Sequence, residues 1–283
     1  KQNSAEAFRQ LGNAREAEGN PDLALSVYDL ALQTGGTGGI VADIYLSRAQ
    51  LYINQGRFNS ALADLSRSLE LRDDITVRVE RMRMAYAAGD YETVEQDATI
   101  LLGSGAVSDS EVNLYLARIL IDRASIDDRD TYSTALGLLN RVGAGLPTDL
   151  IPVADEYRAR AHLALGNLND ALTAVNRALN VLQTGSRRYL RGLIYDARGE
   201  TNAAIQDYYW LVTWNEVFDY PFIDDVLRRI QVIQDARAQA TATAQTATQT
   251  VLDATATISA NRTATAEFHA TATANAVTPT PAP

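Results

Sequence analysis

The chain has 283 residues, with 35 acidic against 25 basic side chains and a formal net charge of −10. An acidic chain without a basic block argues against nucleic acid or anionic membrane as the main partner. The absence of cysteine excludes disulfides, iron–sulfur clusters and thiol catalysis, and no apolar run approaches the roughly 20 residues that a membrane span needs. The sequence begins at Lys1 without a signal-peptide pattern, which fits a leader already removed as well as a shortened chain.

In chain order, the first predicted element is a helical hairpin over residues 4–33. It carries Phe8, Leu11-Gly12, Gly19, Ala24, Tyr28 and Ala31, with Pro21 at the start of its second helix, where a missing N–H is harmless. Ala24, Tyr28 and Ala31 fall at i, i+4 and i+7, one face of a helix. The glycine-rich run from Thr34 to Gly39 reads as a flexible joint. A second hairpin, over 42–71, carries Tyr45, Ala49, Tyr52, Gly56, Phe58, Ala61, Leu65 and Ser68. A third, over 75–102, carries Met82, Gly89, Tyr91, Val94, Ala98 and Leu101; Val94 and Leu101 stand where the others have small residues and predict a wider helix spacing. The fourth, over 111–143, is degenerate. Its first helix runs from Glu111 to Arg123, its second includes Ala135, Leu139 and Val142, and a polar loop replaces the turn glycine. The fifth and sixth, over 152–182 and 185–215, repeat most clearly: Gly166 and Gly199 mark the turns and Ala171 and Ala204 open the second helices, both at a step of 33 (199 − 166 and 204 − 171).

A fixed step of this length is the signature of stacked helical hairpins. The pattern of bulky residue, small residue, turn glycine, early alanine, aromatic or leucine four later and alanine three after that resembles the tetratricopeptide repeat (TPR) family, over roughly residues 4 to 215. The resemblance implies an all-α, TPR-like solenoid of about six hairpins, each covering its neighbour's apolar face. It also implies peptide or protein binding on the concave face made by the first helices. Mapped here, that face includes Arg9, Asn13, Gln50, Arg83 and Arg160. Arg9 and Asn13 resemble two positions of the carboxylate clamp of some members, but Ser47 and Val79 do not continue it, so a solvated polar face remains the competing reading.

After Tyr220-Pro221 the pattern changes. Ile223, Val226, Ile230 and Ile233 alternate steps of three and four, which suits a helix capping the solenoid. From about Ala238 Ala and Thr dominate, and the sequence closes on a Thr/Pro piece. Thr-x-Thr pairs begin at Thr241, Thr248, Thr255, Thr263 and Thr271, about two helical turns apart, and the three–four register continues through Ala240, Ala244, Ala247, Val251, Ala254, Ile258 and Phe268. This predicts one long or slightly broken helix from Ile223 to about Ala276, with a seam too thin to hold it alone in water. The expected divisions are a solenoid (1–219), a capping helix (220–237), an Ala/Thr-rich tail that is helical when docked (238–277) and a Thr/Pro end piece (278–283).

Candidate chemical sites are few. His162 and His269 have no His or Cys beside them, so no transition-metal site is expected; His162 reads as a packing residue. Asp127-Asp128-Arg129-Asp130 lacks the glycine and distal glutamate of a calcium loop and reads as a turn with Asp130 capping the next helix. Gly35 to Gly39 has no following lysine and reads as a linker rather than a phosphate loop. No nucleophile–base set can be assembled, so neither an enzyme nor a cofactor is expected. Trp210, Trp214, Phe218 and Tyr220 are expected mostly under the capping helix, or else against another subunit. Asn261-Arg262-Thr263 is an N-glycosylation triplet, and Thr248, Thr255, Thr263 and Thr271 are candidate O-glycan positions.

The expected function is protein–protein interaction and assembly without chemistry. The favoured form is an exported, surface-associated subunit that binds copies of itself, into filaments, through Trp210, Trp214, Val251, Ile258 and Phe268. The alternative is a cytoplasmic adaptor that takes a peptide or protein in its groove.

Overall fold

The computed structural model describes the backbone of residues 2–143 and 145–276 and the side chains of residues 4–143 and 145–267. Among these residues there are 13 α-helices and no strand. The chain forms two compact units, residues 1–200 and 201–283.

The first unit is five hairpins and a single helix. The hairpins pair α1 (Gln2–Ala17) with α2 (Pro21–Thr34), α3 (Gly38–Asn54) with α4 (Phe58–Leu71), α5 (Ile75–Ala88) with α6 (Tyr91–Leu101), α7 (Asp109–Arg123) with α8 (Arg129–Asn140), and α9 (Ile151–Leu165) with α10 (Leu168–Val181); α11 (Gly185–Ala197) follows. Small residues let paired helices approach. A Cβ on Gly12 would meet Tyr28 Cε1 at 2.4 Å, so the Tyr28 ring lies directly on the α1 backbone. Gly89 and Gly166 end α5 and α9 at φ of 78° and 79°, in the left-handed region that only glycine enters freely. Pro21 occupies the first turn of α2, as its chemistry favours.

Each core cluster takes both helices of one hairpin plus the first helix of the next. Ala5, then Ala24, Tyr28 and Ala31, then Ile44 and Leu51 join α1, α2 and α3. The same logic joins α3, α4 and α5 through Ala49, Leu65 and Val77, and α5, α6 and α7 through Met82, Ala98 and Ile119. Leu114, Leu139 and Tyr157 join α7, α8 and α9, and Ala159, Val175 and Ile194 join α9, α10 and α11. No hairpin could bury its apolar face alone, which is why the unit must be a stack.

Three local expectations are corrected. Gly38 and Gly39 are not a joint; they form the first turn of α3 behind Thr37, and only Gly35 of that run adopts a positive φ, of 69°. The cap of α8 is Asp128, whose side chain accepts from the Thr131 N–H, while Asp130 sits inside the first turn. Val142 lies beyond the end of α8 yet is buried, held by the core of the fourth and fifth hairpins.

The second unit is α12 (Thr201–Phe218) and α13 (Ile223–Ala276). The helices read in the sequence as a sixth hairpin, α11 and α12, therefore fall in different units. Val226, Ile230 and Ile233 of α13 are buried, and α13 packs against α12. Gln234 Nε2 donates to the Tyr209 hydroxyl at 2.9 Å and Arg237 Nη2 to Asn202 Oδ1 at 2.6 Å, so the two helices run antiparallel and α12 is used up at Arg237. α13 has 54 residues, about 80 Å at 1.5 Å each, and every residue from Gln234 to Glu267 is exposed.

Candidate functional site

On the first helices of the third, fourth and fifth hairpins, six side chains converge. The Arg118 guanidinium carbon of α7 lies 3.7 Å from the ring centroid of Tyr86 on α5, 5.0 Å from that of Tyr115 and 5.5 Å from that of Tyr157 on α9. These are cation–π distances. The Tyr86 and Tyr157 hydroxyl oxygens are 2.8 Å apart. Both hydroxyls donate to the Asp122 carboxylate, Tyr157 at 3.0 Å to each oxygen. Arg160 Nη1 stands 3.6 Å from the same carboxylate. Burial pushes the Tyr86 and Tyr157 hydroxyls above the usual phenol range, so both stay protonated donors at neutral pH. Arg118 Nε is buried without a hydrogen bond. The set offers oriented aromatic faces and donors.

Behind this face, buried ion pairs tie the helices of a hairpin together. Arg48 on α3 grips Asp64 on α4 through both carboxylate oxygens, each at 2.7 Å. Arg81 on α5 grips Asp97 on α6 the same way, at 2.9 and 2.7 Å. The second pair lies 33 residues after the first at both ends (81 − 48 and 97 − 64). The sequence reading missed it because it followed apolar positions only; the signal is an Arg and an Asp 16 apart, recurring in phase.

In the second unit the exposed feature is aromatic. Trp210 and Trp214 have ring centroids 6.0 Å apart, Trp214 and Phe218 6.1 Å, Phe218 and Tyr220 5.8 Å, and Tyr220 and Phe222 5.5 Å with planes 10° apart. Trp214 is 42% exposed and Phe218 58%. The expectation that these rings lie under the following helix is corrected for Trp214 and Phe218. The buried face of α12 carries Ala204, Ile205, Asp207, Tyr208 and Leu211; at about 100° per residue, Trp214 and Trp210 continue around the helix from the Asp207 edge of that face.

Residues 42–75 match the tetratricopeptide repeat family. A curated relative, DnaJ homolog subfamily C member 3 of Gallus gallus, is 24% identical over 215 residues; the match covers 72% of this chain but 42% of that protein, so the chain spans less than half of its length. Among solved structures, a tetratricopeptide repeat protein from Parabacteroides merdae superposes with a TM-score of 0.52 at 22% identity, covering 78% of this chain and 82% of that one. PilW, a type IV pilus biogenesis factor, superposes with a TM-score of 0.57 at 17% identity, covering 79% and 98%. These likenesses are of fold. The fold is that of tetratricopeptide-repeat proteins, with one repeat matched at residues 42–75.

Tetratricopeptide repeats serve protein–protein interaction, as scaffolds or adaptors, and the proteins built from them are in general non-enzymatic. On this TPR face the residues picked from the sequence are mostly engaged already. Arg9 pairs with Glu6 at 2.7 Å, and Asn13 Oδ1 accepts from the Tyr28 hydroxyl at 2.6 Å. Arg83 pairs with Glu80 at 2.7 Å and with the buried Glu111 at 2.8 Å. Arg160 pairs with Glu156 at 2.7 Å, and Gln50 is exposed, donating to Asn54 at 3.4 Å. Val79 is buried in the core, where it could join no clamp. Of the five, the structure brings only Arg160 into the tyrosine–arginine cluster.

Among the described residues no group of three His, Cys, Asp or Glu is placed to hold a metal ion, and no helix is long and apolar enough to cross a membrane. Asp128 spends its oxygens on Thr131, accepting from its N–H at 3.1 Å and its hydroxyl at 2.7 Å, and these bonds hold it below the usual carboxylate range. His162 is half-buried; burial lowers its imidazole, and Nδ1 lies 3.5 Å from Asn167 at the end of α9. Val251 is 65% and Ile258 59% exposed on α13. Asn261, Thr248, Thr255 and Thr263 are exposed on the same helix. The side chains of Phe268, His269 and Thr271, and the end piece 278–283, lie outside the described residues.

Proposed function

We propose that this tetratricopeptide-repeat protein is a non-enzymatic assembly subunit that binds copies of itself, exported and associated with a cell surface. The observation that carries the self-association is α13: a helix whose apolar register continues for some 30 residues beyond its only neighbour in the second unit, α12. A thin seam of this kind is not a stable single helix in water. A surface that meets a different surface of the next copy propagates into a filament. The Ala/Thr composition and the Thr/Pro stretch support the exported setting, with a glycan on the tail at Asn261 or the threonines. Electron microscopy and light scattering of the full chain and of residues 1–237 test this. Assemblies are expected from the full chain and monomers from the shortened one; monomers from both refute the reading.

A second reading, an adaptor that captures a peptide or protein on the first-helix face, is favoured by one observation: the Tyr86, Arg118, Asp122 and Tyr157 cluster, preorganised across three hairpins. An adaptor would keep its partner after removal of residues 238–283 and lose it on Tyr86→Ala.

A further inference from the structure

Resting on the self-association reading, we infer that the contact is heterologous: the stretch of α13 from about Ala238 to Glu267 of one copy seats on the Trp214–Phe218 ladder of α12 in the next. Three observations lead there. The seam of α13 is built to pack on α12, because its first members, Val226, Ile230 and Ile233, are buried in that pairing and the same three–four register runs on through Ala244, Ala247, Val251 and Ile258. Within its own chain the helix cannot turn back, since it is continuous from Ile223 to Ala276 and has left α12 behind at Arg237. Its own ladder therefore stays out of reach and a second copy's must serve.

The tail is also more apolar than its composition. All nine threonines between 238 and 267 turn their hydroxyls onto the carbonyl four residues back, at 2.8 to 3.1 Å, from Thr241 to Thr265. With the hydroxyl satisfied on its own backbone, each presents a methyl group outward. Between its glutamines and few charges the tail surface is then largely alanine and threonine methyl, with Val251, Leu252 and Ile258 standing out and Val251 and Ile258 on the seam.

Size and charge choose between the pairings. Two tails face to face would set alanine against alanine and bury little. Two ladders face to face would set large rings against large rings and bring Glu216 and Asp219 of both copies together, all exposed. Rings against a small-residue seam interdigitate. The tail from 238 to 267 carries only Asp253, Arg262 and Glu267 as charges, so it meets the acidic rim of the ladder almost without repulsion. At 1.5 Å per residue it is about 45 Å long, ample for a ladder spanning about 12 Å from Trp210 to Phe218.

The test is complementation by sedimentation velocity, with circular dichroism showing that each variant keeps its helix content. A ladder variant (Trp214→Ser, Phe218→Ser) and a tail variant (Val251→Glu, Ile258→Glu) should each self-associate at least roughly thirtyfold more weakly than the native chain. Mixed one to one, they should form a complex of twice the chain mass that grows no further, because one intact tail finds one intact ladder. Association of the ladder variant alone indicates tail on tail, and of the tail variant alone ladder on ladder; either result, or a mixture that stays monomeric, overturns the inference while self-association stands. A native chain that remains monomeric sinks the self-association reading, and the inference with it.

Discussion

Asp97 has no exposed side-chain surface, and three donors reach it: Arg81 Nε and Nη2 at 2.9 and 2.7 Å, and Arg78 Nη1 at 3.1 Å. Arg81→Met removes two of the three and leaves a buried carboxylate on one longer bond. Breaking a buried pair costs about 3–5 kcal/mol, and the surviving charge-assisted bond to Arg78 retains about 1.5 kcal/mol of that. The expected loss is therefore about 1.5–3.5 kcal/mol. The double variant Arg81→Met, Asp97→Leu removes the charge with its partner, and Arg78 keeps its ion pair with the exposed Asp73 at 2.6 Å. An apolar replacement of both partners is often neutral, so the double variant should recover most of the loss, to within about 1 kcal/mol of the native chain. Urea unfolding followed by circular dichroism gives the midpoints, and equal slopes are required first, because stacked repeats can lose cooperativity. A double variant no more stable than Arg81→Met would refute the argument that the uncovered charge, and not lost packing, sets the cost.

Three further outcomes follow from named contacts. Burial and the Glu16 carboxylate push the Tyr28 hydroxyl up to about 12, against about 10 when unfolded; a raised acid stabilises fully below pH 10 and loses that contribution as pH rises towards 12, so the native chain should lose stability across pH 10–12 faster than Tyr28→Phe, and parallel urea midpoints would contradict this. Gly12→Ala should destabilise by about 1–2 kcal/mol although alanine favours helix, because its Cβ would sit 2.4 and 2.6 Å from two atoms of a buried ring, whereas Gly39→Ala, with nothing within 4 Å, should be neutral or stabilise by about 0.5 kcal/mol. Asp90→Ala removes the side-chain bonds to the Thr93 N–H and hydroxyl at 3.2 and 2.7 Å and should cost about 1 kcal/mol of chemical stability.

The hairpins were legible because each of their devices is local. Gly89 and Gly166 sit where the chain needs a left-handed residue, and Ala24, Tyr28 and Ala31 declare a face within two turns. The Gly38–Gly39 start of α3 was not legible, because glycine marks a joint by propensity and becomes helical only when the core of the first two hairpins holds Ile44 and Leu51 in place. The clusters were hidden for a different reason. Tyr86 and Tyr157 meet across 71 residues, and only stacking three hairpins brings them to one carboxylate. Of the concave-face positions taken from the resemblance, Arg9, Arg83 and Arg160 each pair with an acid, Glu6, Glu111 and Glu156, and the Arg83–Glu111 pairing joins residues 28 apart that only the folded stack brings together.

The tail is a case where sequence and surroundings disagree in length. α13 writes one apolar register over 54 residues, yet α12 is only 18 residues long, so less than half of that register is covered within the unit. Nine threonines at about 0.5 kcal/mol each put the uncovered part about 5 kcal/mol behind an all-alanine helix. At about 25 cal/mol per Å², burying about 200 Å² of apolar surface offsets that amount. One aromatic side chain buries 150–250 Å², so two half-exposed rings such as Trp214 and Phe218, together with the tail atoms that cover them, reach it. Val251 and Ile258 then remain to meet the cost of association, which is why those two positions, and not the threonines, should govern whether the tail docks.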